Sequence, residues 1–134
     1  MALEEKANAY APYVLSILRI VVALLFLEHG LSRIFGWPSA IPHPPMFTMY
    51  WFAGMIELVG SLLVLPGLHT RCAAFVMSGE MAFAYFMAHA PRSFFPALNQ
   101  GEAAILFCFV FLYLAAAGGG EWSLDRMLRP GAKL

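Results

Sequence analysis

Four long apolar runs, separated by helix-breaking residues, dominate this sequence. They lie at about residues 12–35, 47–65, 70–90 and 100–118. A helix needs roughly 20 apolar residues to cross the ~30 Å hydrocarbon core of a bilayer, and these runs approach or exceed that length. Because lipid offers the backbone no hydrogen bonds, an open-ended chain can cross it only as α-helices. The sequence therefore predicts an all-α membrane protein, a bundle of four transmembrane helices.

Proline and glycine mark the ends of the predicted helices. Pro12 falls in the first turn of the first run, where a missing N–H is not needed. Pro66 separates the second run from the third, Pro91 ends the third, and Gly118 begins the three-glycine run that closes the fourth. The tail at about 122–128 mixes apolar and charged residues, so we expect a short helix lying on the membrane surface.

The charged residues predict how the bundle is oriented. Only 12% of residues are charged and the formal net charge is zero, which gives no indication of a nucleic-acid partner. Positive side chains mark the cytoplasmic side of membrane proteins. They favour the end that holds both termini, with Lys6, Arg71, Arg126, Arg129 and Lys133 against Arg33 and Arg92 at the other end. We therefore expect a multi-pass protein of the cytoplasmic (inner) membrane with both termini cytoplasmic.

Three ionisable residues fall inside the apolar runs, where a charge costs at least ~2.5–3.5 kcal/mol at the helix centre. Counting along the predicted helices places Arg19, Glu57 and Glu80 near the midplane, each on the helix face richest in small residues. The natural expectation is one buried polar pocket with Arg19 facing Glu57, Glu80 or both. A structural ion pair accounts for this pattern as well as a functional pocket does. The second carboxylate favours function, because one arginine neutralises only one glutamate.

A second polar cluster is predicted near the outer face: Glu28, His29, Arg33, His89, Asn99 and Glu102. Asn99 and Glu102 also have the spacing of a capping box for the fourth helix, which alone would account for both. In straight helices Glu28 lies opposite Arg19, and His89 lies opposite Glu80. The two clusters can therefore merge only if a helix rotates or bends.

We expect no bound metal. Histidines and methionines at the outer end could ligate haem or copper, but no Glu-x-x-His pair of the di-iron type occurs. Methionine in a membrane helix usually serves packing. The sequence also lacks a Walker motif, a nucleotide-binding fingerprint and a hydrolase nucleophile elbow, and it indicates no catalytic residue.

Several short motifs together resemble those of the DoxX family of small four-helix bacterial membrane proteins. In order, they are Leu18-Arg19-Ile20, the stretch Glu28 to Trp37, Glu57 followed by Gly60, Gly67-Leu68 with Thr70-Arg71, His89 to Glu102, and Gly118 to Asp125. Arg33 stands where relatives often have lysine. The resemblance implies a multi-pass cytoplasmic-membrane protein. The family is named after a subunit associated with quinone-linked sulfur oxidation, other members are tied to oxidative-stress complexes, and the resemblance carries over no catalytic residues.

These observations lead to a functional hypothesis. We expect a membrane subunit of a redox complex, which binds a quinone-like molecule or relays protons through Arg19, Glu57 and Glu80, with His29 or His89 linking the pocket to the outer face. The expected partners are lipid, redox subunits and further copies of the chain. A small proton-coupled transporter and a non-catalytic scaffold are the alternatives.

Overall fold

The computed structural model describes residues 1–40 and 42–131, and within them all regular structure is helical. The predicted all-helical character is therefore confirmed. Lys133, used above for orientation, lies outside the described residues. The helices are α1 (Ala2–Phe35), α2 (Met49–Val64), α3 (Thr70–Ala84), which continues into a π-helix (Tyr85–His89) and a 3₁₀ turn (Ala90–Arg92), α4 (Pro96–Asn99), α5 (Glu102–Ala117) and α6 (Leu124–Leu128).

The four longer helices pack in chain order, α1 on α2, α2 on α3 and α3 on α5. Along the remaining seam, α1 meets α5 through aromatic rings. Phe26 is buried, with its ring centroid 5.2 Å from that of Phe107 and 4.9 Å from that of Phe111. Large rings hold these two helices further apart than small residues would, which leaves room for cavities along the seam.

Helix α1 begins ten residues earlier than the sequence predicted, so the assignment of Pro12 to a first turn was wrong. Pro12 lies inside the helix. An interior proline removes one backbone hydrogen bond, but two acidic residues in the first turn favour the earlier start. The carbonyl of Pro12 also accepts a hydrogen bond from the backbone N–H of Glu121, 3.1 Å away.

The outer surface of the helices is apolar. Helix α1 exposes Val14, Ile17, Val21 and Leu24 along one side. Of the described helices, α1 alone is both long and apolar enough to cross a membrane by itself, with 34 residues and a mean hydropathy of 2.1 over its most apolar window. Helices α2 and α5 are apolar but have 16 residues each.

Helices α1 and α2 approach closely because Gly30 has no side chain. A Cβ atom on Gly30 would lie 2.7 Å from the backbone nitrogen of Leu58, too close for any real contact. This glycine therefore sets the spacing of the two helices and brings the last turns of α1 level with the middle of α2. The juxtaposition that results contains the candidate site.

Candidate functional site

A cavity of about 330 Å³ lies between α1, α2, α3 with its π-helix, and α5, at the end of the bundle remote from the N-terminus. Its polar lining comprises His29, Arg33, Glu57, Glu80 and His89, together with Tyr50 and Gln100. Aromatic and aliphatic side chains form the rest of the wall, among them Phe26, Phe83, Phe107, Met49, Met81 and Met87. A few convergent polar groups in an otherwise apolar concavity are typical of a small-molecule site.

Arg33 and Glu57 form an ion pair in this cavity. The Nε atom of Arg33 lies 3.1 Å from Oε2 of Glu57, and its Nη2 donates to Oε1 at 3.2 Å. The Glu57 side chain is only 2% exposed, whereas that of Arg33 is 27% exposed. Gly54 makes room for the arginine, because a Cβ there would lie 2.9 Å from Cδ of Arg33. The sequence placed Glu57 correctly inside the bundle but assigned it the wrong cation.

Glu80, on α3, lines the same cavity. Its Oε2 atom is buried, and no hydrogen-bond partner for it occurs among the described residues. The cavity therefore holds two carboxylates, and Arg33 is already paired with one of them, Glu57. A buried carboxylate without a partner must carry a proton or meet a ligand.

The π-helix brings His89 to this cavity. Along a regular α-helix His89 would point half a turn away from Glu80. The wider i→i+5 turn of residues Tyr85–His89 shifts the helical phase, and both side chains line the cavity. A turn of this kind within a helix is often found at functional sites. The residue types at positions 85–89 do not predict this π-helix.

Asn99 holds the segment around His89. It is fully buried, and its Nδ2 donates to the Tyr85 hydroxyl at 3.2 Å and to the Ser93 carbonyl at 3.0 Å. Its Oδ1 accepts from the N–H of Gly101 at 2.8 Å. The predicted capping box was therefore wrong, because Asn99 is engaged with the preceding loop and α5 has no side-chain cap.

Of the remaining residues of the predicted outer cluster, one lines the cavity and two do not. His29 lines the cavity, its Nδ1 lies 3.0 Å from the carbonyl oxygen of Leu25, and its ring packs edge-on against Phe107. Glu28 and Glu102 are exposed and are not among the lining residues.

Arg19 lies elsewhere, and the expectation that it faces Glu57 or Glu80 was wrong. It is 1% exposed, with Nη1 donating to the Gly119 carbonyl at 2.6 Å and Nη2 to the Trp122 carbonyl at 2.8 Å. Glu57 packs level with Gly30, which follows Arg19 by about 16 Å of helix at ~1.5 Å per residue. The sequence indicated the depth of Arg19 from α1 alone, whereas the loops that follow α2 and α5 reach the level of Arg19, at Gly67 and Gly119, and so place it at that end of the bundle.

The sequence did not predict a second set of hydrogen bonds, which lies at the end of the bundle that holds Arg19. The carboxylate of Asp125 accepts from the backbone N–H groups of His69 at 2.7 Å and Thr70 at 2.9 Å, which caps the start of α3. Burial alone would raise the pKa of Asp125, but the hydrogen bonds from Thr70 and His69 hold that pKa below its ordinary value. The sequence offered one indirect indication of this contact. The start of α3 has no side-chain cap of its own, so its N–H groups need an acceptor from elsewhere in the chain.

Among residues 1–40 and 42–131, no three side chains of His, Cys, Asp or Glu lie together in a way that could hold a metal ion.

A family model described as DoxX matches residues 14–90, which include α1 from Val14 onward, α2, α3 and the π-helix. The chain belongs to the DoxX family.

Two relatives of this DoxX chain extend the match to nearly its full length. An "Uncharacterized protein" of Haemophilus influenzae is 44% identical over 126 residues, which cover 87% of this chain and 91% of the relative. A Bacillus subtilis protein named "Putative oxidoreductase CatD" is 28% identical over 122 residues, which cover 87% of this chain and 88% of that protein. No solved structure matches the chain.

Proposed function

We propose that this chain is the membrane subunit of a redox-linked complex and that its cavity binds a quinone-type ring. The observation that carries the proposal is the cavity itself, which is lined by the Arg33–Glu57 pair, by aromatic side chains and by Glu80, whose buried Oε2 atom has no partner among the described residues. Its volume of about 330 Å³ lies within the range of small-molecule sites. The name of the Bacillus subtilis relative supports the redox assignment.

The lining suits a flat ring with polar substituents at its edge. Phe26 and Phe107 provide apolar surface for the ring. Arg33 is paired with Glu57, which leaves Glu80 as the carboxylate that can exchange a proton with the ligand. His29 and His89 connect the cavity to the outer face. The electrons would come from a partner redox subunit, since a quinone takes up two electrons and two protons on reduction.

We further propose that the chain is a multi-pass protein of the inner membrane with both termini cytoplasmic. The exposed apolar faces of the helices support lipid contact. Helices α2 and α5 would each span about 24 Å at ~1.5 Å per residue, and α3 with the π-helix and 3₁₀ turn runs unbroken from Thr70 to Arg92. Positive charge is concentrated at the end where the termini lie, which favours that orientation.

Binding of a short-chain quinone to the purified protein in lipid nanodiscs tests the proposal. We expect Glu80→Gln to weaken binding or alter its pH dependence, because it removes the exchangeable carboxylate from the cavity. Glu102→Gln is the matched control, since Glu102 is exposed and is not a lining residue. Organic extraction of the native protein adds a second readout. A protein that binds no quinone and yields none on extraction would contradict the proposal.

The same unpartnered carboxylate favours a proton-coupled transporter as the second candidate function. Sealed vesicles separate the two. Uptake of a solute that requires a proton gradient and is lost in Glu80→Gln would support transport, whereas quinone binding without uptake supports the redox subunit.

A further inference from the structure

Both histidines of the cavity have one ring nitrogen occupied by the main chain. Nδ1 of His29 lies 3.0 Å from the carbonyl oxygen of Leu25, and Nδ1 of His89 lies 3.0 Å from that of Asn99. A carbonyl oxygen can only accept, so each Nδ1 must carry the hydrogen. A neutral imidazole has a single N–H, and Nε2 of each ring is therefore left with its lone pair.

The charged groups of the cavity offer both donors and acceptors. The Arg33 guanidinium contacts Glu57 through two of its nitrogens and keeps further N–H groups that can donate. The Oε2 atom of Glu80 is buried with no hydrogen-bond partner among the described residues. Tyr50 and Gln100 are exposed, as is His29, whereas His89 is half-buried. A ligand that pairs with both histidines must therefore donate hydrogen bonds as well as accept them.

We propose that the cavity binds the reduced, hydroxyl-bearing form of the ring, a quinol, in preference to the oxidised quinone. This inference rests on the proposed function, because it specifies which redox form occupies the same site. The quinol hydroxyls donate to Nε2 of His89 and of His29. A quinone offers carbonyl oxygens alone, which cannot donate to these acceptors, and a site built to hydrogen-bond a hydroxyl discriminates against a ligand that lacks it.

Asn99 acts as the positioning residue for His89. Its buried side chain ties the loop to Tyr85, Ser93 and Gly101, and its backbone carbonyl then fixes the Nδ1–H form of the ring. The direction in which His89 presents its lone pair thus depends on a residue that is not among those lining the cavity.

Equilibrium binding to the full chain in nanodiscs tests the proposal with three ligands of one ring: a short-chain hydroquinone under anaerobic reducing conditions, its oxidised quinone, and the dimethyl ether of the hydroquinone. The ether keeps the ring and both oxygens but has no donor. With each hydrogen bond contributing a few-fold, we expect the hydroquinone to bind about tenfold more tightly than either other ligand.

The variant His89→Phe keeps a planar ring and removes the acceptor. We expect it to weaken hydroquinone binding about five- to tenfold and to leave quinone binding nearly unchanged. His69→Phe, at the exposed turn before α3, is the matched control. Nitrogen-15 NMR of labelled histidine gives a readout that needs no variant, because Nε2 of His89 should resonate as an unprotonated nitrogen, and in Asn99→Ala this fixed form should be lost.

The outcomes separate the two proposals. If the quinone or the ether binds as tightly as the hydroquinone, or if Nε2 of His89 carries the hydrogen, the preference for a quinol is refuted while the cavity remains a ring-binding site. If none of the three ligands binds, the proposed function fails, and this inference fails with it.

Discussion

The pairing of charges inside the bundle gives the sharpest prediction. Arg33 should be energetically coupled to Glu57, and Arg19 should not. The perturbations are Arg33→Met, Arg19→Met and Glu57→Gln, singly and in the two double combinations that include Glu57→Gln. Each substitution removes a charge and keeps much of the side-chain volume.

The magnitudes follow from the geometry. Glu57 is almost fully buried and its two oxygens lie 3.1 and 3.2 Å from Arg33 nitrogens. Removing one partner of such a pair costs about 3–5 kcal/mol, since it leaves a buried charge uncompensated. Removing both should cost less than the sum of the single changes, with a coupling of roughly 1–3 kcal/mol. Arg19 lies about 16 Å of helix rise from the level of Glu57, so its coupling should stay within about 0.5 kcal/mol.

Reversible unfolding in mixed detergent micelles measures these differences, with helix content and tryptophan fluorescence as parallel probes. All five variants and the parent chain are compared at one pH and one micelle composition. A coupling between Arg19 and Glu57 as large as that between Arg33 and Glu57 would refute the placement of both arginines.

Three further predictions follow from single contacts. Gly30→Ala should destabilise the bundle by about 2 kcal/mol or more, because its Cβ would overlap the backbone of Leu58. Gly79→Ala is the control: a Cβ there meets nothing within 4 Å, so this variant should be more stable than the parent by up to about 1 kcal/mol. Equal effects of the two substitutions on the thermal midpoint would contradict this prediction. Asp125→Asn should lower stability near neutral pH, and because the folded pKa of Asp125 is depressed, this stabilisation is present above about pH 4 and is lost as the pH falls through that pKa. The melting curves of the two proteins should therefore converge in acid, and a constant gap would count against the cap. Asn99→Ala should cost about 1–3 kcal/mol, since it leaves buried partners unpaired, and should speed proteolysis within residues 85–101 and nowhere else.

Apart from the start of α1, the sequence predicts the bounds of the long helices to within a few residues, because proline and glycine mark their ends and apolar runs lie between them. It was also sufficient to single out Glu57 and Glu80, since a carboxylate in an apolar run has few reasons to be there. The pattern of small residues predicts both of them inside the bundle, where Glu57 is buried and Glu80 is half-buried at the cavity.

The sequence could not predict how far each helix is displaced along its axis relative to its neighbours. Counting along α1 predicts Arg19 near the midplane, but the loops that follow α2 and α5 reach the level of Arg19, so the arginine lies at that end of the bundle. The partner of Glu57 depends on the contact at Gly30, which is a tertiary feature. The π-helix that brings His89 to the cavity reflects a shift in backbone hydrogen bonding that has no residue signature of its own.

The anchoring of Arg19 has a consequence for how the protein is made. Its acceptors lie 100 and 103 residues further along the chain. In the proposed multi-pass arrangement, α1 enters the membrane while its guanidinium still has neither acceptor, and the apolar residues around it in α1 have to offset the cost of the charge. The two carbonyl groups become available only after α5 and the glycine-rich loop have been synthesised.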